Sequence, residues 1–266
     1  MKQKLFILLL LLPALACKKD ADEFTGAIPG KLEKIYYHRN ADQVRVYKYS
    51  EQGQLASYEY WFDQVLIERH DYTYQDNKLI RIQDFERFQD GKPLSLVQDR
   101  TLSYDEHNRL VQVAIGYINN KPHSGGIIVY PSRYEFGYTG SATRFTTVKT
   151  FAIDDSQTEP VAEAALEYDV KGNISRITTY TVADQVKTLA YTTSYSYAAV
   201  VNPHYRFESP LDYVAFYSPD LCTGIVATGA DGQQTYNYAR EYEQADGKLT
   251  YTRGTDADAR WYEYYK

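Results

Sequence analysis

Histidine, serine and acidic side chains are the groups of this chain that could support catalysis or bind a metal. The five histidines never fall at the spacings typical of metal sites, such as His-x-His or His-x-x-x-His. Ser124 stands beside His123, but adjacent residues rarely form the hydrogen bond that activates a nucleophile, and no Gly-x-Ser-x-Gly motif is present. The sequence therefore predicts no catalytic residue, no metal ligand and no cofactor.

Two acidic pairs could suggest a calcium site. Asp154-Asp155 and the pair of Asp256 and Asp258 both lack the Asp-x-Asp-x-Asp-Gly frame, which makes them loop acids. Glycoside hydrolysis needs two carboxylates about 5–9 Å apart, a separation that only the fold sets. Because the chain has 35 Asp and Glu residues, the sequence does not select such a pair. A hydrolase therefore stays open as an alternative.

Composition excludes several classes of protein. The 266 residues include 28 Tyr and only two Cys, the net charge is −6, and the mean hydropathy is −0.53. These values argue against a disordered tail, a multi-helix membrane protein and a disulfide scaffold. No basic stripe accompanies the negative charge, so we expect no nucleic-acid partner.

The N-terminus combines two cations with a short apolar segment. Lys2 and Lys4 precede eight apolar residues, 5–12, and small residues follow before Cys17. This order is typical of a secretory signal peptide. A membrane-spanning helix, the alternative, needs about 20 apolar residues, and the charges from Lys18 onward end the segment too early. We expect a cleaved signal peptide over residues 1–16.

The four residues Ala14-Leu15-Ala16-Cys17 resemble the lipobox of bacterial lipoproteins, with Ala14 where leucine is usual. The resemblance implies that Cys17 carries fatty acids such as palmitate, which would hold the protein on a membrane without a spanning helix. An ordinary signal peptide with a chance cysteine is the alternative. Acylation of Cys17 would leave Cys222 without an intramolecular partner, so we expect Cys222 to pack as a small apolar residue.

Charged and small residues follow Cys17. The segment Lys18-Lys19-Asp20-Ala21-Asp22-Glu23 resembles the start of Bacteroidota lipoproteins, in which acidic residues after the cysteine accompany export to the cell surface. The same composition suits a solvated tether. We therefore predict a flexible tether over residues 17–30 and one β domain over residues 31–266. We expect the chain to be lipid-anchored to the outer membrane, with exposure at the cell surface implied by the resemblance.

Short runs rich in Tyr, Val, Ile and Thr fill the rest of the chain and predict strands. The one run of strong helix formers, residues 162–166, is too short to be a helix alone. Each break between strands combines an aromatic residue, a polar turn, a Gly or Asn that accepts positive φ, and an aliphatic residue. The copies are Tyr49–Leu55, Tyr74–Leu79, Tyr104–Leu110, Tyr168–Ile174 and Tyr242–Leu249, with a weaker one at Tyr138–Gly140.

The dipeptides Tyr104-Asp105 and Tyr168-Asp169 resemble the tyrosine–aspartate (YD) repeat of RHS-type proteins. From about Leu32 onward the chain is similar to YD-repeat-like lipoproteins of Bacteroidota, a group without an assigned role. The resemblance implies a succession of antiparallel hairpins, which stabilise one another by stacking. We expect an all-β fold, an antiparallel meander of repeated hairpins forming a long twisted sheet or half-barrel. A membrane-spanning barrel is disfavoured, because strands such as 79–83 alternate imperfectly.

Tyrosines two residues apart recur along the predicted strands. A period of two places both rings on one face of a sheet. Such a face could be an exposed aromatic platform for sugar rings or peptide, or a half-buried face where rings pack across strands. The candidate ligand contacts are Tyr58, Tyr60, Trp61, Tyr72, Tyr74 and Trp261.

These observations predict a non-catalytic, lipid-anchored protein of the cell envelope. We expect its partners to be the membrane, through the N-terminal lipid, and a polymer (glycan or peptide) or another protein. A structural spacer or assembly subunit of the envelope is the first alternative, and a hydrolase is the second.

Overall fold

Sixteen antiparallel strands and one short helix make up the described part of the computed structural model. That part comprises residues 30–37, 42–89, 91–118, 131–152, 158–206, 209–255 and 259–266. The elements are β1 (Leu32–Tyr36), β2 (Gln43–Tyr49), β3 (Leu55–Phe62), β4 (Val65–Gln75), β5 (Lys78–Glu86), β6 (Ser95–Tyr104), β7 (Leu110–Tyr117), β8 (Pro131–Tyr138), β9 (Phe145–Ala152), β10 (Ala162–Tyr168), β11 (Ile174–Ala183), β12 (Val186–Val201), α1 (Tyr213–Tyr217), β13 (Asp220–Gly229), β14 (Gln234–Ala245), β15 (Lys248–Gly254) and β16 (Ala259–Tyr264).

Each strand pairs with the strands before and after it, and the first pairs with the last. Ile35 of β1 stands opposite Tyr262 of β16, so the sheet closes into a barrel. The predicted antiparallel meander of hairpins is thereby confirmed. The expected open sheet or half-barrel is replaced by full closure, which leaves no strand of the barrel with a free edge.

Alternation along the strands separates an inner face from an outer face. On β4, His70 and Tyr72 point inward, while Arg69 and Asp71 point outward and pair with each other at 2.6 Å. The inner face carries the buried core, in which Ile35, Tyr47, Tyr49, Ile82, Val113, Phe145, Ile174 and Leu249 are almost fully buried. The Tyr-rich strands therefore build an interior of rings and aliphatic side chains.

Two-residue turns join several hairpins. Asp63-Gln64 and Asp184-Gln185 have positive φ at both residues, 45° and 64° in the first and 49° and 63° in the second. Positive φ at both positions matches the twist of paired strands. These two turns lie at one end of the barrel, which we call the far end. The turns 50–54, 76–77, 105–109, 139–144, 169–173 and 246–247 lie at the opposite end, which we call the tyrosine end.

The aspartates of the YD dipeptides hold their turns closed. Asp169 Oδ1 accepts hydrogen bonds from the backbone N–H of Lys171, Gly172 and Asn173, at 2.7–2.9 Å. Burial alone would raise the pKa of Asp169, but the hydrogen bonds from Asn173 and the backbone outweigh it and lower that pKa. Asp105 accepts the N–H groups of its own turn in the same way. The YD pattern thus has a local structural cause.

The tyrosines of the repeat close the open ends of their hairpins. In each case a hydroxyl at or near the end of one strand donates to the carbonyl at the start of the strand before it. A buried hydroxyl and carbonyl both need such a partner. The pairs are Tyr49 to Leu32, Tyr104 to Leu79, Tyr138 to Leu110, Tyr168 to Phe145 and Tyr197 to Ile174, at 2.6–2.9 Å.

The described parts of the connection between β12 and β13, residues 202–206 and 209–219, fold into the tyrosine end, and we call them the plug. Its helix α1 begins after Asp212, whose side chain accepts the N–H of Ala215. Tyr213 contacts Phe136 and Phe145 at ring distances of 6.4 and 6.0 Å. Ser209 Oγ also accepts from Arg100 of β6 at 3.0 Å, and Ser218 Oγ accepts the backbone N–H of Ile174 of β11 at 3.1 Å. The plug therefore contacts the inner face of strands from β6 to β11 and lies inside the barrel. No helix in the described part of the chain is long and apolar enough to cross a bilayer.

Several expectations concern residues that the structure does not describe. The signal peptide, acylated Cys17, His38 and His123 with Ser124 all lie outside the described residues. The same holds for Asp154, Asp155, Asp256 and Asp258. These expectations stay predictions.

Candidate functional site

Cations cover the tyrosine rings at the tyrosine end. Each cation directly precedes the first apolar residue of a hairpin and lies over the ring of the tyrosine that ends the same hairpin. Such contacts contribute about 0.5–1 kcal/mol at exposed sites. The pairs and their distances to the ring centroid are Lys31 and Tyr49 at 5.9 Å, Lys78 and Tyr104 at 5.7 Å, Arg109 and Tyr138 at 4.5 Å, Arg144 and Tyr168 at 5.5 Å, and Lys248 and Tyr264 at 5.1 Å.

A cavity of about 420 Å³ lies between this rim and the plug, and we call it the tyrosine-end cavity. Three successive turns of the repeat, β4–β5, β6–β7 and β8–β9, form its wall. The plug supplies Arg206, Pro210, Phe216 and Tyr217 on the other side. Sites for small molecules commonly have volumes of about 300–1,000 Å³, so the cavity has the size of a ligand site.

The lining of the tyrosine-end cavity is cationic. Lys78, Arg109, Arg144 and Arg206 line it together with His107, and no carboxylate stands among the described residues that do so. The whole chain carries a net charge of −6. A concave surface of one charge sign concentrates ligands of the opposite sign. This cavity is therefore suited to a negatively charged ligand.

Arg109 has a structural task within this lining. Its Nε donates to Asp105 Oδ2 at 2.7 Å, and its Nη1 donates to the carbonyls of Gly140 and Ala142 at 3.2 Å. The guanidinium thus ties two neighbouring turns together, while its face covers the ring of Tyr138. Asp105 thus neutralises the Arg109 charge, and Nε and Nη1 are occupied by the turns.

The other three cations have no anionic partner within the described residues. Lys78 lies over the ring of Tyr104 and Arg144 over the ring of Tyr168, and neither forms an ion pair with a described carboxylate. Arg206 lies over Tyr217 at 4.9 Å and has a φ of 58°, a conformation that residues with a Cβ rarely adopt. Cations that no described carboxylate neutralises can bind an anion at this cavity.

Glycine at one turn makes room for Arg144. Gly172 has a φ of 94°, and a Cβ added there would collide with the Arg144 guanidinium. The guanidinium therefore occupies the space that a side chain at position 172 would fill. This contact fixes the cation at the rim and does not consume its hydrogen-bond donors.

The tyrosine hydroxyls around the cavity stay protonated. Burial raises the pKa of Tyr104 and of Tyr74 to about 12. Burial also raises the pKa of Tyr217 well above its ordinary value. These groups are hydrogen-bond donors at neutral pH and add no negative charge.

A scan against protein-family models and a search of curated proteins both found no match. Among solved structures, the chain is similar to a porin-like protein from Bacteroides uniformis, with 11% identity, a TM-score of 0.44, and coverage of 90% of this chain and 99% of that one. A porin-like protein from Bacteroides vulgatus shows 12% identity and a TM-score of 0.42, with coverage of 88% of this chain and 98% of that one. The TcdB2-TccC3 structure shows 16% identity and a TM-score of 0.32, with coverage of 83% of this chain and 10% of that one. At these identities and TM-scores, the similarities assign no function.

A second polar cluster lies on the inner face of β3–β6. The ring of His70 stacks on Tyr58 at 4.2 Å, and its Nδ1 lies 2.6 Å from Asp84 Oδ1. Arg100 donates to the same Asp84 oxygen at 2.5 Å and to Ser209 Oγ of the plug at 3.0 Å. This inner network therefore connects the barrel wall to the plug.

The charges of the inner network stabilise one another. Burial alone would lower the pKa of His70, but its hydrogen bonds to Asp84 and Glu68 outweigh burial and raise it. Burial alone would raise the pKa of Asp84, but His70 and the Arg100 charge lower it. The fold thus favours the charged forms of both groups. The network is suited to holding the plug, since its groups are occupied by one another.

The tyrosines predicted as ligand contacts lie on the inner face. Tyr58 and Tyr72 are each 8% exposed and belong to the core. The Tyr60 hydroxyl donates to Gln43 at 3.1 Å. Among the four, only Tyr74 lines the tyrosine-end cavity. The spacing of two residues thus places these rings on one face, where they mainly pack against one another. Contact between these rings and a ligand stays a prediction.

The two tryptophans lie on the outer face. Trp61 is half-buried, and its Nε1 donates to Glu59 at 3.1 Å. Trp261 is also half-buried and packs against Tyr251 at a ring distance of 5.3 Å. Neither lines the tyrosine-end cavity. Their contact with a ligand stays a prediction.

Sequence reasoning missed the cations of the rim. The signal was present, because Lys78 stands between Asn77 and Leu79 and Lys248 between Gly247 and Leu249. A cation between the turn residue and the first apolar residue is thus part of the repeat. The contribution of Arg206 carries no such signal, because it depends on how the plug folds back.

The other groups that could support chemistry are the Cys222 thiol and clusters of metal-ligating side chains. Cys222 is half-buried with its Sγ 3.6 Å from the Gly224 carbonyl, and burial raises the pKa of its thiol. A raised thiol pKa disfavours the reactive thiolate. No group of three or more potential metal ligands occurs among the described residues.

Proposed function

We propose that this protein is a lipid-anchored, non-catalytic binding protein of the cell envelope, of the YD-repeat-like type, which holds a polymer or protein partner at its tyrosine-end cavity. The observation that carries the proposal is the cavity itself, where three cations with no anionic partner among the described residues meet the plug and three turns of the repeat. Such a lining can bind an anionic group, and its described residues include no carboxylate pair for acid–base chemistry.

The outer face supports attachment by lipid rather than by insertion. Ion pairs cross this face around the barrel, and each charge would be costly against hydrocarbon. The pairs are Lys34–Glu263, Lys48–Glu59, Arg69–Asp71, Arg81–Asp99, Arg133–Glu135, Arg176–Glu167 and Lys187–Glu163. The outer face is therefore suited to water, and lipid on Cys17 would supply the membrane affinity.

Replacing Cys17 by Ser is expected to abolish fatty-acid labelling and to move the protein from the membrane fraction to the soluble fraction. The reason is that acyl chains contribute about 0.8 kcal/mol per buried CH₂, and the serine hydroxyl does not receive them. Metabolic labelling followed by membrane fractionation measures both effects. The Cys222→Ser variant is the matched control and should label fully. Labelling that survives in the Cys17 variant contradicts the anchor.

Filling the tyrosine-end cavity is expected to remove partner binding. Thr143 is exposed and lines the cavity, so a Thr143→Trp ring would occupy space that a ligand needs. Glycan and peptide arrays probed with the full-length protein, purified in detergent, measure the effect. We expect hits of the unchanged protein to weaken at least tenfold.

The matched control is Thr235→Trp, which alters an exposed threonine on β14 away from the cavity. It should bind as the unchanged protein does. Equal binding by both variants would place the partner elsewhere. A protein that finds no array partner, but is crosslinked in cells to one dominant neighbour regardless of Thr143, would favour the structural spacer.

A further inference from the structure

The tyrosine-end cavity carries more information about its ligand than charge alone. Besides the cations, its lining includes the exposed amides of Asn77 and Asn108 and the hydroxyl of Thr143. Phe216 and Pro210 add apolar surface from the plug. Neutral donors and acceptors beside apolar ring surfaces suit a ligand that has many hydroxyl groups on a ring with C–H faces.

The topology disfavours the main backbone mode by which extended peptides bind. In that mode a peptide adds a strand to a free sheet edge. Here β1 pairs with both β2 and β16, so the barrel offers no such edge at this cavity. Peptide binding at this place would have to rely on side chains alone.

We propose that the tyrosine-end cavity binds an anionic saccharide, with a carboxylate or sulfate of the sugar held by Lys78, Arg144 and Arg206. This inference rests on the proposed function and names its ligand class. The three cations come from two turns of the repeat and from the plug, so they reach the ligand from different sides. Arg144 can offer a paired N–H geometry that matches the two oxygens of a carboxylate.

Isothermal titration of the full-length protein in detergent tests the ligand class. The probes are tetragalacturonic acid, its fully methyl-esterified form, a chondroitin sulfate tetrasaccharide, tetra-aspartate and inorganic phosphate. We expect at least one acidic tetrasaccharide to bind, and the neutral ester to bind at least tenfold more weakly than the free acid if the free acid binds. Stronger binding of tetra-aspartate or phosphate than of either acidic saccharide would overturn the proposal, and so would no binding of either saccharide.

Charge removal tests the residues. Since each lost charged contact weakens binding about tenfold, the Lys78→Gln/Arg144→Gln variant should bind about 100-fold more weakly. The Lys31→Gln/Lys248→Gln variant removes the same kind of cation from the same kind of tyrosine, but outside the cavity. It should bind within about twofold of the unchanged protein. A charge-retaining Lys78→Arg/Arg144→Lys variant should bind more tightly than the charge-removal variant, because both charges remain and only the paired N–H geometry of Arg144 is lost. This comparison separates lost charge from lost folding.

The two proposals fail in different ways. If Thr143→Trp removes array binding while charge removal at Lys78 and Arg144 has no effect, the cavity binds a ligand but the anionic-saccharide inference is wrong. If neither change matters, the site proposed for the function is wrong as well. Equal losses in both charge-removal variants would also overturn the assignment of Lys78 and Arg144.

Discussion

Replacing Arg100 by Leu is expected to lower the free energy of unfolding by about 3–5 kcal/mol. Arg100 and Asp84 are only 7% and 6% exposed, and the guanidinium lies 2.5 Å from the carboxylate. Without Arg100 a buried carboxylate loses one of its two cationic partners and keeps His70. The loss of the bond to Ser209 should also loosen the plug. Urea unfolding measures the free energy, and limited proteolysis within residues 202–219 measures the plug.

The cost of this change is expected to depend on pH. The pKa of His70 is raised above its unfolded value of about 6.5. Its contribution to stability is therefore fully present below about pH 6.5 and is lost as pH rises through the folded pKa. Protonated His70 still faces Asp84 in the variant, so Arg100→Leu should cost less in mildly acidic solution than above the folded pKa of His70.

Arg81→Leu is the matched control for Arg100. Arg81 pairs on the outer face with Asp99, the residue before Arg100 on β6. The side chain of Arg81 is 44% exposed. Exposed ion pairs contribute about 0–1 kcal/mol. We therefore expect a small loss without a pH step. Equal losses for Arg81→Leu and Arg100→Leu would show that the inner network holds neither wall nor plug.

Local patterns in the sequence predict the repeated part of this fold well. The tyrosine, the polar turn and the Gly or Asn of each repeat carry their own structural causes, such as the hydrogen bonds of Asp169. The exception is Tyr242, which is 39% exposed and lies within β14 rather than at its end. There the strand continues to Ala245 and a two-residue turn follows, so the Tyr242 ring lies before the end of its strand.

Long-range pairing decides what the sequence leaves open. Closure depends on β1 meeting β16, and no local pattern marks that contact. The helix formers of residues 162–166 become β10, because both β9 and β11 pair with them. Registers likewise place His70 opposite Asp84, which spacing alone does not show.

The plug is the part of the site that sequence reasoning anticipates least. Asn202-Pro203 marks a longer loop, but its inward course depends on the rings that receive it. Those rings include Phe145, which belongs to the repeat and to the plug contact at once. The cavity therefore combines a rim that repeats along the sequence with a cover that occurs once.

Phe145→Ala is expected to lower the free energy of unfolding by about 3–5 kcal/mol. Phe145 is 1% exposed, and its ring contacts Phe136 at 5.0 Å and Tyr217 at 4.6 Å. Removing it leaves a void between the wall and α1 that neither side can fill without moving. The plug should therefore become sensitive to protease, and the tyrosine-end cavity should lose its cover.

Thermal and urea unfolding measure this loss, and Phe88→Ala is the control, since Phe88 is 56% exposed. The control should change stability by less than about 0.5 kcal/mol. If Phe145→Ala matched it, the ring contacts would not hold the plug in solution. Ligand binding by Phe145→Ala tests how the site depends on the plug. A loosened plug would move Arg206 away from the cavity, while Lys78 and Arg144 would stay on the rim. Residual binding in Phe145→Ala that is lost on adding Lys78→Gln/Arg144→Gln would show that the rim supplies part of the site by itself.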